Sequence, residues 1–185
     1  YGTDEIKKDI LPKLVSGEIV GTLGVTEDLH APTKENINLN YVDGKITGKK
    51  IAVPDAGVAT HAVIVAKSDK GINLQLVDLS SSGVAIEHQE NIDESRGHFS
   101  ISFENVQTKI LGDEISGWEL YESLINQAAV LFSYEQIGGS QASLDMAINY
   151  AKERYAFGRP IGSYQAIKHK LADMYIALTL AKSNC

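Results

Sequence analysis

Residues 138–183 read GGSQASLDMAINYAKERYAFGRPIGSYQAIKHKLADMYIALTLAKS, and the turn Arg154-Tyr155-Ala156-Phe157-Gly158-Arg159-Pro160-Ile161 divides that stretch in two. Upstream, Leu144, Ile148, Ala151 and Tyr155 recur at four, three and four residues, one stripe of a 3.6-residue period. Gly158 and Pro160 predict the end of that helix. Downstream the stripe resumes at Ile167, Leu171, Met174 and Leu178. Two amphipathic helices therefore meet at a short, rigid corner that carries Arg154, Arg159 and Phe157. Two readings of the corner follow. A guanidinium pair beside an aromatic ring docks phosphate and a flat base, because Arg offers a planar fork and Phe a stacking face. Alternatively, Arg154 sits at the helix C-terminus, where cations favour the dipole, and Phe157 belongs to the core.

Working outward, Gly117 opens a second long pattern in which Leu120, Leu124, Ala128 and Leu131 are spaced four, four and three. The pattern predicts a helix from about 118 to 155, about 57 Å long at 1.5 Å per residue. Gly138-Gly139 in its middle weakens the helix and predicts a close approach to the backbone there, most simply by another helix. Two helices alone are half a bundle. Their apolar stripes lie open to water unless more chain or another subunit covers them, so the reading is of a fragment or an obligate oligomer.

From Ile19 to Ile110 the texture changes to short runs rich in Val, Ile, Leu and Thr, broken by Asp43-Gly44, Asp55-Ala56-Gly57, Asp69-Lys70-Gly71 and Ser80-Ser81-Ser82-Gly83. These runs predict strands near 18–25, 37–42, 45–53, 60–67, 73–79, 84–88, 98–106 and 108–111. Asp43-Gly44 is a hairpin signal, since both central residues of a type I′ turn need positive φ. The expected product is a small antiparallel barrel or sandwich. Ahead of it, Thr3 and Asp4 read as an N-cap for a short helix that is disturbed near Pro12 and closed by Ser16-Gly17. Strands first and helices afterwards make an α+β chain of separate modules.

The chain has 185 residues, 43% of them hydrophobic, enough to bury a core. A net charge of -7 without a basic block argues against a nucleic-acid or anionic-membrane surface. Lys168-His169-Lys170 reads as a solvated helix face. The single Cys185 excludes an internal disulfide and fits a reducing compartment, which sets a cytoplasmic location as the expectation. No apolar run approaches the roughly twenty residues of a membrane span, and the N-terminus carries no signal-peptide pattern. His30, His61, His88, His98 and His169 lack the close spacings of metal ligands, so no metal site is expected. No G-x-G-x-x-G, P-loop or G-x-S-x-G occurs.

Arg154, Phe157, Gly158, Ile161, Gln165 and Leu171-Ala172-Asp173-Met174 together resemble the acyl-CoA dehydrogenase family, whose third domain has a long helix ending in R-x-x-F-G-x-x-I and a second helix carrying Q-A-I/V and L-A-D-M. The resemblance extends to the lead-in Tyr1-Gly2-Thr3-Asp4, to Gly24-Val25-Thr26-Glu27, Asp43-Gly44, Gly48-Lys49-Lys50, Asp93-Glu94-Ser95-Arg96 and Phe103-Glu104-Asn105-Val106, and to Leu111-Gly112. It implies three parts: 1–17 as the end of an N-terminal helical domain, 18–114 as a β-barrel middle domain, and 115–185 as the first two helices of an incomplete four-helix bundle. It also implies FAD between the last two. By resemblance Arg154 reaches the FAD pyrophosphate of a neighbouring subunit, Phe157 packs beside the adenosine half, Gln165 hydrogen-bonds the cofactor, and Thr26 meets the flavin ring edge. The implied partners are an acyl-CoA substrate, an electron-transfer flavoprotein and further subunits, as a homodimer, homotetramer or heterotetramer.

Three departures stand out. Where the family usually has P-x-A-G-S-D after T-E, this chain has Asp28-Leu29-His30-Ala31-Pro32-Thr33. Ala52-Val53-Pro54 replaces the W-I-T or W-I-S that covers the flavin, and Pro54 supplies neither hydroxyl nor amide donor. The polar pair that meets CoA on the long helix falls at Asn126 and Ala129. The family's glutamate base usually lies beyond the position of Ser183. Members that place it on the long helix have it where this chain has Ala128, and Glu135 reads as structural, so no catalytic residue is assigned. The resemblance implies an FAD-dependent acyl-CoA dehydrogenase of fatty-acid β-oxidation. Rival expectations are a non-catalytic partner subunit and a flavin oxidase or oxygenase on the same scaffold.

Overall fold

The structure, a computed structural model, describes residues 1–93 and 95–185; Glu94, within the run 93–96, lies outside the described residues. Two compact units form, Tyr1–Glu122 and Ser123–Cys185. In the first, helix α1 (Asp4–Ser16) starts where Thr3 Oγ1 accepts from the Ile6 amide at 3.3 Å and stops at Gly17, whose φ of 78° lets its N–H reach the Leu14 carbonyl. Pro12 lies inside α1 and does not break it, because the carbonyl it deprives of a donor, that of Lys8, is on an exposed residue.

Strands β1 (Gly21–Gly24), β2 (Asn40–Val42), β3 (Lys45–Pro54), β4 (His61–Lys67), β5 (Ile72–Asp78), β6 (Val84–Gln89), β7 (His98–Gln107) and β8 (Lys109–Leu111) match the eight predicted runs, with β1 and β2 beginning three residues late. Asp43 and Gly44, at φ 49° and 80°, form the two-residue turn between β2 and β3 that the Asp-Gly pair predicts. The strands make one sheet in the order β6-β7-β3-β2-β4-β5-β8, with β1 also pairing β4. Two features differ from the expected antiparallel barrel. The sheet is open, and β1 and β2 both run parallel to β4. Closure would require β6 to pair β8; β8 has only three residues, and β6 is largely exposed and turns Glu87, His88 and Gln89 along the edge, as edge strands do.

Strand β4 shows why this sheet has two cores. Successive side chains of a strand face opposite ways, and in His61-Ala62-Val63-Ile64-Val65-Ala66-Lys67 both sets are apolar. Ala62, Ile64 and Ala66 join Ile46, Val53, Val77, Ile101 and Phe103 on one side. Val63 and Val65 join Val25, Ile37, Ile72 and Leu74 on the other, where Trp118, Leu120 and Tyr121 cover them. These three begin helix α2 (Gly117–Glu153). Gly117 permits the junction: a Cβ there would lie 2.4 Å from the Asn73 Cα.

In the second unit, α2 continues and helix α3 (Gln165–Asn184) follows the turn. Leu144 and Ala151 are buried, and Ile137, Leu144, Met174 and Leu178 line a cleft of about 900 Å³. The expected close neighbour at Gly138-Gly139 is not found: among the described residues no atom lies within 4 Å of where either Cβ would stand. Of the predicted stripe Leu120, Leu124, Ala128 and Leu131, Leu124 and Leu131 are open to solvent, at 39% and 73%.

Candidate functional site

Helix α2 ends at Glu153, two residues short of the stripe that includes Tyr155, because the chain turns into a miniature hairpin. β9 (Tyr155–Ala156) pairs β10 (Arg159–Pro160), Ala156 facing Arg159 and Tyr155 facing Pro160. The loop between them is Phe157-Gly158, with φ of 51° and 79°, so both central residues lie in the left-handed region, as at Asp43-Gly44. Gly158 adopts this freely. Phe157 does so at a cost on the order of 1–3 kcal/mol, which persists only where the surroundings over-determine the conformation.

The surroundings do so here. The Tyr164 hydroxyl donates to the Ala156 carbonyl at 2.9 Å, and the Ile161 amide donates to the Arg154 carbonyl at 2.8 Å. A one-turn 3₁₀ helix (Ile161–Ser163) folds back so closely that a Cβ on Gly162 would stand 2.8 Å from the Ala151 carbonyl oxygen. The Arg159 guanidinium carbon lies 4.1 Å from the centroid of the Tyr164 ring, a cation–π distance.

This geometry bears on one part of the second reading, while Arg154, one residue beyond Glu153, does stand at the C-terminal end of α2. Phe157 is not core: it is 97% exposed at the hairpin tip. The two arginines have separate roles. Arg159 is spent on Tyr164, whereas exposed Arg154 makes no hydrogen bond or ion pair through its guanidinium among the described residues. Gln165, the first residue of α3, is exposed, and its amide is likewise without a hydrogen-bond partner among the described residues. Tyr164, the N-cap, gives α3 no side-chain cap. A free guanidinium, an open aromatic face, a free amide and a helix start thus fall within twelve residues, and each suits a phosphorylated ligand with a flat ring.

Thr26 belongs to the other unit. It follows β1, is half-buried, and its carbonyl accepts from the Ile51 amide at 2.8 Å. On either side of it Lys50 makes a staple. The ammonium, fully buried, donates to the Val25 carbonyl at 2.8 Å and to Glu27 Oε1 at 2.7 Å. The Glu27 carboxylate also accepts from the Asn38 and Leu39 amides, both at 2.9 Å. Burial pulls the Lys50 ammonium down to a pKa of about 8, with Glu27 opposing that fall. Ala52, in the replaced W-I-T position, has φ 51° at a register shift of β3 against β7, and its amide donates to Gln89 Oε1 at 2.8 Å. The Ala52 N–H is therefore already committed. Glu27 and Lys50, although they stand in two of the quoted motifs, and Tyr164 carry no expected site role from the sequence, where nothing marks them as partnered.

Among the described residues no three His, Cys, Asp or Glu side chains are grouped to hold a metal, and no helix is long and apolar enough to cross a membrane.

Residues 116–185 match the family model described as acyl-CoA dehydrogenase, C-terminal domain. The isovaleryl-CoA dehydrogenase of Oryza sativa subsp. japonica is 32% identical over 200 residues, covering 99% of this chain and 48% of that protein. The crystal structure of an acyl-CoA dehydrogenase from Geobacillus kaustophilus superposes with a TM-score of 0.92 at 22% identity, over 99% of this chain and 52% of that one. A glutaryl-CoA dehydrogenase from Mycobacterium smegmatis, solved in complex with FADH2, gives 0.84 at 23% identity over 98% and 51%. The α+β class, a sheet-rich unit followed by long helices, is that of these neighbours. The chain belongs to the acyl-CoA dehydrogenase family. It spans about half the length of the curated relatives it matches.

Proposed function

We propose that this chain is the middle and leading C-terminal part of an FAD-dependent acyl-CoA dehydrogenase, which removes two hydrogens from the α,β bond of an acyl-CoA thioester and passes electrons to an electron-transfer flavoprotein. The observation that carries the reading is the Arg154–Phe157–Gln165 array: a guanidinium and an amide without partners among the described residues, and a ring 97% exposed, on a locked turn. Those donors fit the pyrophosphate and adenosine half of FAD. When bound, FAD accepts the hydride in such a reaction. Arg154 holds the pyrophosphate of a neighbouring subunit's FAD, Phe157 offers that cofactor a stacking face and Gln165 a hydrogen bond, while Thr26, between the two residues that Lys50 staples, meets the flavin ring edge of its own subunit's FAD. No residue of this chain is assigned as the base: the family members that place it on the long helix have it where α2 carries Ala128.

One observation favours a second reading, a non-catalytic partner subunit. Ala52 and Pro54 offer the flavin no side-chain donor, and the Ala52 amide is taken by Gln89. In that case Arg154, Phe157 and Gln165 serve a cofactor held mainly by a companion.

The test of the first reading is flavin retention. Arg154→Ala in the whole protein is expected to weaken FAD binding roughly thirtyfold, the loss of a charge-assisted contact of about 2 kcal/mol, with the sheet still folded by circular dichroism. Unchanged flavin content would overturn the assignment.

A further inference from the structure

We infer that Tyr164 is the positioning residue of the hairpin, holding Arg154 and Phe157 as one preformed contact for the nucleotide half of the cofactor. The inference rests on the proposed FAD reading and adds two residues to it, Tyr164 and Arg159, neither of which needs to touch the ligand.

Three observations carry it. First, the tip is strained: Phe157 sits at φ 51° with its side chain 97% exposed, so packing of the ring does not hold it there. Second, β9 and β10 have two residues each, and so short a ladder is marginal without outside support. Third, Tyr164 supplies support at two points of the hairpin. Its hydroxyl bonds the Ala156 carbonyl, the last residue before the tip, and its ring carries the Arg159 guanidinium, the first residue after it. One side chain thus clamps both flanks of Phe157-Gly158. Tyr164 is itself held, because its backbone N–H donates to the Ile161 carbonyl at 3.1 Å and its carbonyl accepts from the Ile167 and Lys168 amides of α3. The tip is in this way referred to the start of α3, where Gln165 stands.

The clamp also accounts for the arginine that the cofactor reading leaves over. With Arg159 stacked on Tyr164, only Arg154 remains free to meet a phosphate. A ligand then finds the backbone that carries the cation and the ring already set and has only the two side chains to order, which is the source of affinity in a preorganised site.

The experiment is a double-mutant cycle on the whole protein, read as the FAD dissociation constant from quenching of flavin fluorescence. Tyr164→Phe keeps the ring and the cation–π contact and removes only the hydroxyl; it is expected to weaken FAD binding about fivefold, with the melting temperature of the protein little changed. Arg159→Gln keeps the hydroxyl and removes the cation, with an expected loss of about threefold. The decisive arm is the background: in Arg154→Ala or Phe157→Ala, Tyr164→Phe is expected to cost less than twofold, because the contacts it positions are already gone. A purely stabilising Tyr164 would show equal losses in every background, and that result would overturn the inference. If Arg154→Ala weakens FAD but Tyr164→Phe and Arg159→Gln do not, the clamp is wrong and the cofactor reading stands. If Arg154→Ala itself has no effect, the cofactor reading fails and the clamp fails with it.

Discussion

Glu27→Gln is expected to destabilise the first unit by about 3 kcal/mol at pH 6, and by clearly less at pH 9. Lys50 is fully buried, and among the described residues its ammonium has two partners, the Val25 carbonyl and the Glu27 carboxylate. Removing the charge of one member of a buried pair leaves the other uncompensated, a loss of about 3–5 kcal/mol where no acceptor remains. The new amide keeps one acceptor oxygen for Lys50 and the Leu39 amide but turns an NH2 towards the Asn38 amide, which donates to the other carboxylate oxygen in the native protein. The pH dependence follows from Lys50. Its folded pKa is about 8 against 10.5 for the free side chain, so between these values the unfolded state binds more protons and native stability rises with pH. Without the Glu27 charge the folded pKa falls further, and the variant recovers stability at a lower pH than the native protein does. The gap between the two urea-denaturation curves should therefore narrow from pH 6 to pH 9. A gap independent of pH would show that Lys50 is not held as described. Because the staple grips both neighbours of Thr26, the same variant should loosen whatever Thr26 contacts.

Gly117→Ala should be comparably damaging for a different reason. Its Cβ would stand 2.4, 2.6 and 2.7 Å from the Cα, carbonyl carbon and amide nitrogen of Asn73, all backbone of β5 and unable to yield as a side-chain tip can. The Ile72–Ser116 bridge fixes the approach from the preceding residue. Overpacking of this kind costs about 3 kcal/mol and should lift the first turn of α2 off the second core, exposing Trp118 to a fluorescence probe. Gly138→Ala is the internal control of opposite sign. Among the described residues nothing stands within 4 Å of the Cβ it would add, so helix propensity alone should stabilise α2 by about 1 kcal/mol in this chain. Equal effects at the two glycines would contradict the packing. A loss at Gly138 in the whole protein would place a close neighbour over that helix.

How far these features could be read from the residues depends on how local their causes are. The strands were legible because alternation and turn residues are local, and Asp43-Gly44 announced its own turn by chemistry. The Phe157-Gly158 turn has the same backbone and went unread as a hairpin, since Phe has no intrinsic preference for positive φ and is held there by Tyr164 from outside the loop. The helical stripe carried Tyr155 past the true helix end for the same reason. The parallel pairing of β1 with β4 joins residues forty apart, and nothing in either strand encodes it. The open edge at β6 and β8 is likewise a product of tertiary packing. The Lys50 staple was hidden because a buried lysine and an exposed one look alike until the partner is seen. Of the site residues, Arg154, Phe157 and Gln165 were legible as a motif. What the structure adds is that, among the described residues, the Arg154 guanidinium is free, Phe157 is presented and Arg159 is engaged.

The most direct measurement is the visible absorption spectrum of the whole protein purified without added cofactor, followed by anaerobic titration with acyl-CoA thioesters of increasing length. An oxidised flavin band is expected, bleaching as one of them is added and returning when an electron acceptor is supplied. A protein that shows no flavin band, even after incubation with FAD, would contradict the cofactor reading.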